Sequence, residues 1–293
     1  MKGVTLIELV VTIALLGILA AVAAIYIAPA LEAYFATQRR AELADVADTA
    51  MRRMVRDIRL ALPNSARVDP TGSFLEILLT RDGGRYRPMS DDDTGTAENP
   101  LVFDGAEDGI FDAYETAAAL ADIPADQVPR AGDYVVVHNL GIAGANAYDG
   151  LAAASPNIGR ISAFSFGGGA LPNENRITLS PPALFALESP GRRYYVVSGP
   201  VSYACEGAGT SGGNGTGTLR RWSGYPLQAG QPTASPGVTD AVLASHVSAC
   251  QLRYSTPTAP TLESRGLVAV RLAITRANET VTLYYEAHVS NVP

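Results

Sequence analysis

From Leu9 to Ala28 the only polar side chains are Thr12 and Tyr26. About 20 apolar residues are enough to cross a bilayer as a helix. A secretory signal peptide has a shorter apolar core followed by a small-residue cleavage site, and nothing after this run reads as one. The pattern then changes without a break. Leu43, Val46, Ala47, Ala50, Met51, Met54, Val55, Ile58 and Leu62 recur at steps of three and four, which marks one face of an amphipathic helix. Glu42, Asp45, Arg52, Arg53, Arg56 and Arg59 fill its other faces, and Pro63-Asn64 ends it. A helix running from Val4 to Leu62 would be about 88 Å long. Pro29 lies inside the apolar part and predicts a kink or local unwinding.

After Pro63 the period shortens to two. Phe74–Leu79, Asp133–Asn139, Gly159–Phe166 and Arg192–Cys205 are β-rich runs between turn signals. Leu267–Thr275 and Thr280–Val289 flank the turn Arg276-Ala277-Asn278-Glu279 and predict a hairpin. In its second strand Val281, Leu283, Tyr285, Ala287 and Val289 share one face, and Thr282, Tyr284, Glu286 and His288 share the other. That alternation fits an antiparallel sheet with one face on a helix and the other wet or covered by loops. Glu206–Thr218 is rich in Gly, Ser and Thr and reads as a mobile surface loop. The fold class is α+β: a long N-terminal helix, first transmembrane and then amphipathic, packed on a C-terminal antiparallel sheet domain. The expected divisions are residues 1–3, a leader; 4–31, a membrane segment; 32–62, the amphipathic helix; and 63–293, a β-rich domain with long loops.

Composition narrows the function classes. The 293 residues are 47% hydrophobic and 17% charged, as in a folded protein, and the net charge is −7. An acidic balance argues against a nucleic-acid surface, which needs a basic stripe. The arginines at Arg39–Arg40 and Arg52–Arg59 alternate with Asp45, Asp48 and Asp57 and read as a solvated, salt-bridged helix face. Cys205 and Cys250 are the only cysteines. With a membrane signal upstream they point to an oxidising compartment and one disulfide. Closing a loop of about 45 residues stabilises by roughly 4 kcal/mol in the chain-entropy account.

Glu8 is the anomaly in the apolar run. An ionised carboxylate inside a bilayer costs about 2.5–3.5 kcal/mol or more, and no cation neighbours Glu8 in sequence. The stretch Gly3-Val4-Thr5-Leu6-Ile7-Glu8-Leu9 resembles the N-terminus of type IV pilins and pseudopilins: a short basic leader, a glycine, then a segment like FTLIELL. Val4 stands where that family usually has phenylalanine, and the leader is only Met1-Lys2-Gly3. The resemblance implies cleavage between Gly3 and Val4 by a prepilin peptidase, N-methylation of Val4, and an assembly role for Glu8 opposite the N-terminal amine of a neighbouring subunit. Arg40–Val68, Val135–Gly150 and the ending Glu286–Pro293 resemble the MshO-type minor-pilin family of the mannose-sensitive haemagglutinin (MSHA) pilus. The implied partners are other pilins and minor pilins, the prepilin peptidase and an inner-membrane assembly platform, with no nucleic acid. The implied location is the bacterial inner membrane, single-pass with a periplasmic C-terminal domain, and then the tip or base of a pilus. A type II secretion pseudopilin, a membrane-tethered periplasmic binding protein or enzyme, and an adhesin stand as alternatives.

Catalysis finds little support. His138, His246 and His288 are far apart and not at metal-ligand spacing, and no nucleophile elbow, phosphate loop or H-E-x-x-H motif occurs. Gly167–Gly169 lacks the helix context of a phosphate loop and reads as a turn. Asp104, Asp108, Asp112 and Glu115 fall at the first, fifth, ninth and twelfth positions of an EF-hand-like loop, with Gly109 at the sixth. Calcium would be the ligand of such a loop. Ala106 at the third position and the absence of a preceding helix favour a solvated acidic loop instead, and Asp91–Asp93 reads as a solvated turn. No cofactor is called for.

Overall fold

A computed structural model describes residues 3–89, 99–114, 124, 127–150, 157–171, 174–237, 239–255 and 265–292. Helix α1 (Leu6–Arg59) is a single element of 54 residues, about 81 Å long at 1.5 Å per residue. It runs through Pro29 without interruption. Its C-terminal half docks through Leu43, Ala47, Ala50, Met51, Met54, Val55 and Ile58, all buried. These positions repeat at helical spacing, so one stripe meets the sheet, and full burial of a Met or Ile is worth about 1.5–3 kcal/mol each. The helix stops three residues before the expected Leu62. There the chain peels off: Leu62 N–H donates to Leu78 O at 2.8 Å, and Thr80 N–H donates to Leu60 O at 2.8 Å. Pairing with a strand replaces the last helical turn.

Thirteen strands follow among the described residues: β1 (Arg67–Val68), β2 (Phe74–Tyr86), β3 (Glu107–Tyr114), β4 (Tyr134–Val137), β5 (Ile158–Ser165), β6 (Glu174–Leu184), β7 (Arg193–Glu206), β8 (Thr210–Ser211), β9 (Asn214–Gly215), β10 (Gly217–Ser223), β11 (Thr239–Ser255), β12 (Arg265–Arg276) and β13 (Glu279–Ser290). Eleven form one sheet in the order β1-β2-β3-β6-β5-β4-β7-β10-β11-β12-β13, with β2 also pairing to β7. That extra pairing divides the sheet into two bodies. The run β2-β3-β6-β5-β4-β7 closes on itself as a six-stranded antiparallel barrel. Its interior holds Tyr86, Phe111, Val135, Val137, Ile161, Ile177, Tyr194 and Val196. The other body, β1-β2-β7-β10-β11-β12-β13, is an open sheet whose inner face carries Leu75, Ile77, Val201, Tyr203, Val270 and Leu272 against α1. The long strands β2 and β7 belong to both. Their register shifts at Leu79, Thr80 and Asp82 mark the passage from open sheet to barrel, a bend of the kind β-bulges produce.

The C-terminal hairpin forms as the alternation predicts. Arg276 pairs with Glu279, and Ala277 and Asn278 take φ of 50° and 64°, the left-handed pair of a tight hairpin turn. The Gly-rich stretch at Glu206–Thr218 differs from expectation. It forms the small hairpin β8–β9, clasped to that turn by Ala277 N–H donating to Asn214 Oδ1 at 2.9 Å and Asn278 N–H donating to Gly213 O at 2.8 Å.

Candidate functional site

The N-terminal end of α1 carries the densest signal. Thr5 is the helix N-cap and Glu8 sits in the first turn, where its charge faces the positive end of the helix dipole. Glu8 N–H donates to Thr5 Oγ1 at 3.3 Å, and Thr5 N–H donates to the Glu8 carboxylate at 3.4 Å. This is a reciprocal capping box. It gives the acid a partner within its own chain, and the Thr-x-x-Glu spacing was the sequence signal for it. Gly3 and Val4 precede the helix and are exposed, and a Cβ on Gly3 would meet nothing within 4 Å. The fold therefore places no steric demand for glycine at position 3.

Beyond the cap the helix is bare. Leu6, Leu16, Ile18, Leu19 and Ile25 are each more than 60% exposed, and the helix is long and apolar enough to cross a membrane. No other part of the described chain covers this segment, an arrangement suited to a membrane anchor.

The lower half of α1 is fixed to the sheet by polar contacts as well as packing. Tyr285 Oη donates to Asp48 Oδ1 at 2.8 Å, and Arg40 pairs with Glu279. Asp57 corrects the reading of a wholly solvated charged face. Its side chain is 3% exposed and accepts from Tyr203 Oη and Arg221 Nε, each at 2.8 Å. Burial, and then the Asp57 charge, push the Tyr203 phenol far above its ordinary value. Asp48 does form the expected surface pair with Arg52, at 2.6 Å.

The remaining candidates resolve as follows. Cys205 on β7 and Cys250 on β11 form a disulfide. The EF-hand-like spacing does not make a loop: residues 107–114 are strand β3, paired to β6. Asp112 receives Arg176 Nε and Nη2 at 2.8 and 2.9 Å, Asp108 accepts from Ile110 N–H, and Asp104 accepts from Ala106 N–H. Glu115 and Asp91–Asp93 lie outside the described residues. Cross-strand pairing with β6 overrides the local acidic pattern. His246 and His288 sit on β11 and β13, and His138 follows β4. No cluster of three or more metal-ligating side chains occurs among the described residues.

Residues 1–24 match the family described as Prokaryotic N-terminal methylation motif. The chain carries a prepilin-like N-terminus. No curated protein and no solved structure matches it. The motif indicates a type IV pilin-like or pseudopilin-like protein. The layout of one long apolar N-terminal helix and a large antiparallel sheet domain is consistent with it.

Proposed function

We propose that the chain is a minor subunit of a type IV pilus of the MSHA kind, inserted in the inner membrane and incorporated into the filament through α1. Its work is assembly rather than catalysis. The observation that carries the reading is the methylation motif running directly into a helix that is bare for its first half and docked for its second. On this reading residues 1–3 are a leader removed by the prepilin peptidase, residues 4–31 lie in lipid and then in a filament core, residues 32–62 carry the domain, and residues 63–293 are periplasmic. Its partners are other pilins and an inner-membrane assembly platform.

Glu8 has a defined task in this scheme. Cleavage after Gly3 creates an α-amine on Val4, beside the Thr5 N–H that holds the Glu8 carboxylate in the single chain. The corresponding amine of a neighbouring subunit offers a full charge in place of that neutral donor. A buried carboxylate gains more from a charged, hydrogen-bonded partner, so the exchange sets the axial register between subunits.

Two variants test this. Gly3→Leu should abolish processing, so that mass spectrometry finds the unprocessed N-terminus; a mature N-terminus at Val4 would refute the cut site. Glu8→Val should leave membrane insertion intact and lower incorporation into pili by about tenfold or more. Normal incorporation would remove the register role. A pseudopilin of type II secretion rests on the same motif, and loss of secretion rather than of pili on gene deletion would select it.

A further inference from the structure

Where β2 and β7 bend from the open sheet into the barrel, the end of α1 leaves a cavity of about 470 Å³. Arg53, Arg56, Asp57, Thr80, Arg81 and Ser198 are among its lining residues. Three arginines and a single carboxylate thus line it, and that carboxylate is already engaged by Arg221 and Tyr203. Arg53 approaches Asp57 only to 3.5 Å, while Arg81 is held by Asp133 at 2.8 Å. Arg56 makes no side-chain hydrogen bond or ion pair among the described residues and is exposed. The Thr80 hydroxyl oxygen is buried with no hydrogen-bond partner, although buried polar groups are nearly always satisfied. The Ser198 hydroxyl donates to Leu79 O at 3.1 Å and keeps its lone pairs.

We propose that this cavity binds an oxyanion, a carboxylate- or phosphate-bearing group, through Arg53, Arg56 and the Thr80 hydroxyl. Arginine forks match the planar edge of a carboxylate and the face of a phosphate, where a neutral ligand would leave the positive charge uncompensated. The Thr80 hydroxyl supplies a donor that at present has nothing to reach. The bend that opens the cavity is built into the register of β2 against β7, so the site is preformed. A lipid headgroup of the anchoring membrane does not fit the geometry, because Arg53 lies about 38 Å along the helix from Ala28. The inference does not depend on the filament reading.

Isothermal titration of the full chain in detergent micelles with inorganic phosphate and with citrate tests it, with sodium chloride as the control. Saturable binding of either anion, weakened about tenfold by Arg56→Gln and severalfold by Thr80→Val at unchanged melting temperature, is the expected result. Preference for citrate would assign a carboxylate source, such as an acidic side chain of a partner protein; preference for phosphate would assign a free phosphate ligand. No saturable heat at millimolar anion, equal heats with chloride, or identical binding by the Arg56→Gln/Thr80→Val double variant would overturn the proposal.

Discussion

Replacing Asp57 by alanine removes the one carboxylate that ties the docked half of α1 into the sheet from inside the core. Asp57 is 3% exposed and Arg221 is 13% exposed. The substitution leaves Arg221 and the Tyr203 hydroxyl buried without their acceptor, at 2.8 Å from where it was. Breaking a buried pair by deleting one partner costs about 3–5 kcal/mol, most of it the desolvation of the charge left behind. The helix should nevertheless stay docked, because Met51, Met54 and Ile58 are fully buried and contribute about 1.5–3 kcal/mol each. The expected outcome is therefore a folded but weakened domain, with a melting temperature about 8–15 °C lower. The single tryptophan, Trp222, is fully buried beside Arg221, so its emission during urea titration of the full chain reports the transition. Asp45→Ala, on the exposed face, is the control and should fall within about 0.5 kcal/mol of the parent. If Asp57→Ala also costs less than about 1 kcal/mol, the polar tie carries no stability and packing alone holds the helix.

Two further outcomes follow from the sheet. Replacing both Cys205 and Cys250 by serine should lower stability by roughly 4 kcal/mol, read by the same titration, and an unchanged midpoint would refute it. Asp112 is buried, which by itself would raise its pKa, yet the Arg176 guanidinium and the Ala170 N–H together hold it below the ordinary 3.8. Its stabilisation is therefore full above pH 3.8 and is lost as pH falls through the lower folded-state value. Asp112→Asn should cost about 2 kcal/mol at pH 7, with the gap to the parent closing in acid; a gap that persists unchanged at pH 2 would contradict the ionic account.

The helix and the C-terminal hairpin were legible because each is written in a local period: Leu43 to Ile58 at steps of three and four, and Val281 to Val289 at steps of two. The capping box is also written locally, in Thr5-x-x-Glu8, although it is embedded in a run whose apolar character otherwise dominates the pattern. What escaped the sequence depends on distant pairing. Strand β3 reads from sequence as a solvated acidic loop with a weak calcium-loop spacing, and only its register with β6 shows that Asp112 belongs to Arg176. Asp57 looked solvated because its helical neighbours Arg53 and Arg56 are, while its true partners, Tyr203 and Arg221, lie more than 140 residues away. The β8–β9 hairpin has too few side chains to announce itself and is fixed by Asn214 reaching the Ala277 turn. Barrel closure has no local signature at all, since it rests on β2 pairing on both edges.

The way β2 and β7 meet has an architectural consequence. Arg85 lies opposite Arg193, and Tyr86 N–H donates to Arg192 O at 2.9 Å. The chain thus departs for β3 and returns from β6 by way of two points one hydrogen bond apart. Residues 87–191 are topologically an insertion into a simpler helix-and-sheet layout, and a short turn joining Tyr86 to Arg192 would close β2 and β7 as a plain hairpin. The barrel-facing side chains Tyr86, Tyr194 and Val196 would then need polar replacements. The insertion is nonetheless tied to the base of α1, because Asn139 Nδ2 donates to Pro63 O at 2.7 Å and Tyr148 Oη donates to Ser65 O at 2.8 Å, so its presence steadies the turn through which the helix enters the sheet.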